Sequence, residues 1–205
     1  MKTPGPARRV AVILAGGRGR RLGGADKPLI LVRGRTLLSC ALEAAASREK
    51  IVVVGGPFDI TDDRIVWTRE EPRFGGPAAA LMAALAVLDD LPSDAEVLLL
   101  AADLPEAVRL AGLLDAVPIP EEDDGLVATD GDGREQWRAG RHRLDALRRV
   151  RAEWGDGAGV PMKVIMHALR LSAVDVGAAA LDLDTWEAID EYRDAPRHPG
   201  GGDRG

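Results

Sequence analysis

The sequence predicts a single α/β domain of three layers, α/β/α, built on a mainly parallel sheet with an antiparallel excursion in its second half. Two observations carry this. Short β-branched or leucine-rich runs at residues 10–14, 51–54 and 97–101 lack polar alternation, which marks strands covered on both faces. Longer stretches with helical spacing lie between them, and strands alternating with helices build parallel sheets through crossovers. A length of 205 residues with 46% hydrophobic and 29% charged residues suits one domain with a sizeable core.

The first strand, 10–14, opens directly into a loop holding Gly16, Gly17, Gly19, Gly23 and Gly24, interleaved with Arg18, Arg20, Arg21 and Lys27. Glycine lets backbone N–H groups approach an anion without a Cβ in the way, and the cations neutralise charge that the N–H groups cannot. Such a loop wraps a phosphate. Residues 29–32 lead through the turn Arg33-Gly34-Arg35 to a helix over 36–47, where Leu37, Leu38, Ala41, Leu42 and Ala45 share a face, with Cys40 beside them. The strand at 51–54 ends in Gly55-Gly56-Pro57, a shorter strand follows at 64–67, and a loop over 68–75 enters an alanine-rich helix over 76–88. The strand at 97–101 runs into Ala102-Asp103-Leu104-Pro105. Strands at 126–129 and 136–139 flank Asp130-Gly131-Asp132-Gly133 and form the antiparallel excursion. A helix over 143–154, a glycine-rich break at 155–159, a helix over 161–169 and a strand at 171–176 come next, and Thr185 caps a last helix through Tyr192. Residues 1–8 read as an N-terminal extension, 9–193 as the domain, and 194–205 as a disordered tail whose prolines and glycines bury no apolar surface.

A net charge of −6 gives no general attraction to nucleic acid, so positive charge matters only where it is concentrated, between Arg18 and Lys27. Cys40 is the only cysteine, which excludes an intramolecular disulfide and a cysteine zinc cluster and suits a reducing cytoplasm. No run approaches the ~20 apolar residues of a membrane span, and the N-terminal residues lack a signal-peptide core. The expectation is a cytoplasmic protein with no membrane partner. His142, His167 and His198 lack partners at metal-ligand spacing and read as surface or packing residues.

Two phosphate loops fail on spacing. No glycine is followed by Lys and a hydroxyl residue, as a P-loop requires, and a dinucleotide fingerprint started at Gly17 and Gly19 meets Leu22 at its third position. Asp103 ends a buried strand where open α/β sheets bind ligands, so it either holds a cation such as Mg2+ or serves as an N-cap or turn residue for the helix that follows. Asp182 and Asp184 alternate, which points both toward one cation in an extended segment, although Asp184 or Thr185 also suits a helix cap. Arg138, Arg141 and Arg143 read by themselves as arginines of a solvated edge.

The pattern that does fit the first loop is L-A-G-G-x-x-x-R-x-G-G-x-D-K, from Leu14 to Lys27. On it the chain resembles the MobA-like nucleotidyltransferases, the molybdenum cofactor guanylyltransferase type. The resemblance implies a Rossmann-like fold of the nucleotide-diphospho-sugar-transferase type. It implies transfer of a nucleoside monophosphate, foremost GMP from GTP, to a phosphorylated acceptor such as molybdopterin, with Mg2+ as cofactor and pyrophosphate released. Relatives use CTP or other phosphorylated acceptors; Leu14-Ala15-Gly16-Gly17 with Gly76-Pro77 favours guanine. By the same resemblance Leu14, Ala15, Gly16, Gly17, Arg18, Lys27, Glu71, Gly76 and Asp103 contact nucleotide, Lys27, Arg18 and Asp103 are catalytic, and Asp103, Asp182 and Asp184 hold metal. Residues 136–140 with 144–147 resemble the family's acceptor-facing region, which implies that Arg138, Arg141 and Arg143 meet an anionic pterin phosphate, and molybdoenzymes or cofactor-biosynthesis proteins are the implied protein partners. Ala78-Ala79-Ala80 stands where the family has L-A-G, and Trp186 where it has proline. These departures keep open a nucleotide-binding sensor or partner protein that has lost turnover.

Overall fold

The computed structural model describes residues 8–17 and 22–196. In chain order the elements are β1 (Arg9–Leu14), a short ribbon of β2 (Leu31–Val32) and β3 (Arg35–Thr36), α1 (Leu37–Ala44), β4 (Lys50–Val54), β5 (Ile65–Thr68), α2 (Pro77–Ala86), β6 (Glu96–Ala101), α3 (Ala107–Ala116), β7 (Gly125–Thr129), β8 (Glu135–Arg143), α4 (Leu144–Trp154), α5 (Met162–Met166), β9 (Leu171–Asp175) and α6 (Trp186–Asp194).

The main sheet has the order β5-β4-β1-β6-β8-β7-β9. β5, β4, β1 and β6 are parallel, β8 is antiparallel to both its neighbours, and β9 is parallel to β7. From β1 the chain builds outward to β4 and β5, then returns through α2 to the other side of β1 at β6. The winding therefore reverses between β1 and β6, and a crevice opens at their carboxyl ends.

The apolar runs are continuous because both faces are covered. Val10, Val12, Leu14, Val52, Val54, Val97 and Leu99 pack in the layer formed by α2, α4 and α5, while Ala11, Ile13, Ile51, Val53, Leu98 and Leu100 pack in the layer of α1 and α3. A smaller cluster, Leu22, Ile30, Val32, Leu37, Leu183 and Ile189, ties the ribbon and α1 to the start of α6. Thr36 caps α1 by accepting from the Ser39 N–H at 3.1 Å, and Thr185 caps α6 by accepting from the Ala188 N–H at 3.2 Å, as predicted for Thr185.

The antiparallel excursion is longer than the sequence implied. β8 continues to Arg143 and inserts between β6 and β7, so it completes the main sheet. α3 is the helix expected to follow Asp103, and its buried Ala107, Leu110, Ala111 and Leu114 have helical spacing. The expected tail lies outside the described residues from 197 onward, as does the expected extension at 1–7. Among the described residues no helix is long and apolar enough to cross a membrane.

Candidate active site

The site grows from the mouth of the crevice. The Ala15 N–H donates to the Val54 carbonyl at 2.9 Å and the Ala102 N–H to the Leu14 carbonyl at 3.0 Å, so the ends of β1, β4 and β6 are stitched together. Gly55 permits this closeness: its φ is +136° and a Cβ there would lie 2.8 Å from the Ala15 carbonyl oxygen. Beyond Ala15 the chain turns at Gly17, whose φ of 140° is backbone that a side chain rarely tolerates.

Lys27 opens a single 3-10 turn, Lys27–Leu29, with Pro28 behind it. Its side chain reaches across the crevice to β6, where Nζ donates to Asp103 Oδ2 at 2.8 Å and to Asp184 Oδ1. Asp103 is buried, at 6% exposure, and its Oδ1 has no hydrogen-bond partner among the described residues. The acidic pair is delivered by packing: Leu183 is fully buried and its N–H donates to the Asp103 carbonyl at 3.1 Å. The flanking Asp182 and Asp184 therefore converge on Asp103, and one carboxylate oxygen from each of the three lies within 4.8 Å of the others.

Arg138 arrives from the opposite flank. Val127 pairs with Gly140 but Ala128 pairs with Gln136, so Trp137, Arg138 and Ala139 bulge from the β7–β8 ladder. Such bulges re-aim side chains beside functional sites. Trp137 packs on the α2 side and meets the His167 ring edge-on at 4.8 Å, Ala139 is buried on the α1 side, and Arg138 turns into the crevice. Its Nη1 donates to Asp103 Oδ2 and its Nη2 to Asp182 Oδ2, both at 3.1 Å.

Burial, then the neighbouring Asp184 and Asp103, push the Asp182 carboxyl above its ordinary range. Burial opposes the charge on Arg138, but Asp103, Asp182 and Asp184 outweigh it and hold the guanidinium more firmly protonated than usual. Three carboxylates face two cations in this cluster, and the donor set is hard oxygen with one buried oxygen still unpartnered. That set fits a divalent cation of the Mg2+ type, which takes one or two protein carboxylates and fills its remaining positions with water and phosphate.

These groups line a cleft of about 530 Å3 with Leu14, Ala15, Gly16, Gly17, Glu70, Gly76 and Ala80, a volume suited to a small-molecule site. Leu14, Ala15, Gly16, Gly17, Lys27, Gly76, Asp103 and Asp184 are thus brought together, with Asp182 joining through the acidic cluster. Arg18 lies outside the described residues. Glu71 is exposed and off the cleft; the carboxylate on the wall is Glu70, whose Oε1 accepts from the Phe74 N–H at 3.0 Å beside Gly16. Neighbours in an irregular loop point different ways, so only one of the two glutamates faces the cleft. Arg141 and Arg143 are structural, held by Asp115 and Glu96 and by the carbonyls of Pro120 and Asp123 respectively. The alanines at 78–80 are buried, and Gly157 approaches so closely that a Cβ there would lie 3.2 Å from the Ala78 carbonyl carbon. Close packing of the 155–159 break on α2 leaves no room for a side chain at Gly157.

A glycine loop and an acidic cluster meeting at the switch point of a doubly wound sheet define an α/β protein built to handle nucleotides at its carboxyl rim. Residues 11–172 match the MobA-like NTP transferase domain, and the chain belongs to that family. It is 32% identical over 126 residues to a molybdenum cofactor guanylyltransferase of Bradyrhizobium sp. strain ORS 278, covering 58% of this chain and 59% of that protein. Over 154 residues it is 34% identical to a molybdenum cofactor guanylyltransferase of Rhodopseudomonas palustris strain HaA2, covering 70% and 71%. The fold is shared with a 2-C-methyl-D-erythritol 4-phosphate cytidylyltransferase from Francisella tularensis, with a TM-score of 0.63 over 90% of this chain and 97% of the other at 17% identity.

Proposed function

We propose that the protein transfers a nucleoside monophosphate from a nucleoside triphosphate to a phosphate group on a small acceptor, with GTP as donor and molybdopterin as acceptor. The observation that carries this reading is the contact between Lys27 Nζ and Asp103 Oδ2 at 2.8 Å, across the crevice between β1 and β6. One triphosphate in the crevice reaches both residues.

The acceptor phosphate is ionised at neutral pH, so attack needs no general base, only alignment and charge neutralisation. An acceptor oxygen bonds to the α-phosphorus, the bond from the α-phosphorus to the bridging oxygen breaks, and pyrophosphate leaves with that oxygen. Backbone amides at Gly16 and Gly17 hold the triphosphate, and Lys27 neutralises charge that builds around the α-phosphate. Arg18, the residue that follows Gly17 in the glycine loop, adds a second positive charge. Glu70, on the cleft wall, takes the nucleoside-side role expected of Glu71. Asp103, Asp182 and Asp184 would hold Mg2+, which supplies further charge neutralisation to the phosphates when bound. The guanine preference rests on Leu14-Ala15-Gly16-Gly17 and on the two guanylyltransferase relatives, since the fold also serves a cytidylyltransferase.

Pyrophosphate release measured with GTP, CTP, ATP or UTP, each with molybdopterin and Mg2+, tests the reading. Release that requires both GTP and acceptor supports it, and CTP-dependent release reassigns the base. Nucleotide binding without release from any triphosphate overturns the transferase in favour of a sensor or partner protein.

A further inference from the structure

We propose that Arg138 is the acceptor-side anchor of the site: it occupies the place of a divalent cation between Asp103 and Asp182, gives up these carboxylates when the cation binds, and then receives the acceptor's phosphate. The acceptor half rests on the transfer reaction proposed above, whereas the cation half stands on the geometry alone.

Asp103 Oδ2 is already shared by Lys27 at 2.8 Å and Arg138 at 3.1 Å, and Arg138 also binds Asp182 Oδ2. A divalent cation seated on the same carboxylates competes for the same oxygens, and a guanidinium within a few ångströms repels it. The Asp103 Oδ1 atom, buried and without a partner among the described residues, offers the entering cation its first lone pair. Release of Arg138 is feasible because its side chain remains 36% exposed at the cleft, whereas Arg141 on the same strand is 4% exposed and locked against Glu96 and Asp115.

The sidedness of the sheet gives the freed guanidinium its task. β6 leads directly into Asp103 and lies between β1 and β8. Lys27 and the glycine loop come from the β1 flank, where the triphosphate binds; Arg138 comes from the β8 flank, where a second phosphate must approach. A planar guanidinium suits that phosphate, because its paired N–H groups match two oxygens at once. The bulge at Trp137, Arg138 and Ala139 is the device that places one arginine of β8 there while Arg141 and Arg143 stay in the scaffold.

The test uses the full chain with Arg138→Met and Arg138→Lys. Mn2+ binding to the protein alone, followed by electron paramagnetic resonance of the free ion, should tighten by about tenfold in Arg138→Met, with Arg138→Lys close to the parent. Unchanged or weaker Mn2+ binding in Arg138→Met overturns the counter-ion role, whether or not the protein is a transferase. In the transfer assay, Arg138→Met should raise the acceptor KM by about tenfold or more and leave the triphosphate KM within about twofold, with partial rescue by lysine. An unchanged acceptor KM, or equal effects on both substrates, overturns the anchor role. A parent protein without pyrophosphate release refutes the transfer reading, and the Mn2+ result still decides what Arg138 does.

Discussion

Asp103→Asn separates the chemistry from the fold. The substitution keeps the side chain's shape, and the bond from the Leu183 N–H goes to the Asp103 backbone carbonyl, so the acidic segment stays tethered. Three carboxylates against Lys27 and Arg138 leave one net negative charge in the cluster, and asparagine reduces it to none. Two charge-assisted hydrogen bonds on Oδ2 become bonds to a neutral acceptor, at a cost on the order of 1 kcal/mol each. Against this, the protein no longer buries a carboxylate with an unpartnered oxygen, a penalty of about 1–3 kcal/mol. The contributions nearly cancel, so the melting temperature should move by less than about 4 °C. Function should not survive, because Asp103 is the one buried carboxylate of the three and the shared partner of both cations. Turnover in the pyrophosphate-release assay should fall about a thousandfold, roughly 4 kcal/mol of transition-state stabilisation, and Mn2+ binding should weaken in parallel. A variant within about tenfold of the parent's turnover, or one melting more than about 10 °C lower, would refute this account of the site.

Lys27→Ala should bind nucleotide weakly and lose turnover by about three orders of magnitude; near-normal turnover rejects its role at the α-phosphate. Burial depresses the His142 pKa from 6.5 to about 4, partly countered by Asp124. The unfolded chain therefore binds more protons than the fold between these values, so stability is complete above pH 6.5 and is lost as the pH falls from there through about 4. Urea unfolding should show about 2 kcal/mol less stability at pH 5 than at pH 6.5 from this group, and a His142→Gln variant with an equally steep profile would assign the loss elsewhere. Gly140→Ala should destabilise by about 3 kcal/mol or more, because a Cβ there collides with the Leu126 carbonyl and lies 2.7 Å from His142 Nε2; an unchanged melting temperature would show that β7 and β8 can part at no cost.

The sequence by itself determined the layered α/β architecture and the glycine-rich, cationic character of the first loop. Both are local properties: β-branched runs without alternation require cover on two faces, and glycines among cations after a strand favour an anion. The same is true of Asp182 and Asp184, whose alternation around the apolar Leu183 already placed them on one side of the chain. Only the tertiary structure decided which of these meet. Lys27 and Asp103 are 76 residues apart, and their contact follows from the reversal of winding between β1 and β6, which no local pattern encodes. That Glu70 and not Glu71 lines the cleft depends on how one loop turns against Gly16. Arg138 looked like its neighbours Arg141 and Arg143 until a bulge in β8 sent it to the acids and left the others to brace the scaffold. Local propensity specifies elements and their faces; the meeting of charged groups across the crevice depends on topology and register, which form only when distant segments of chain pack together.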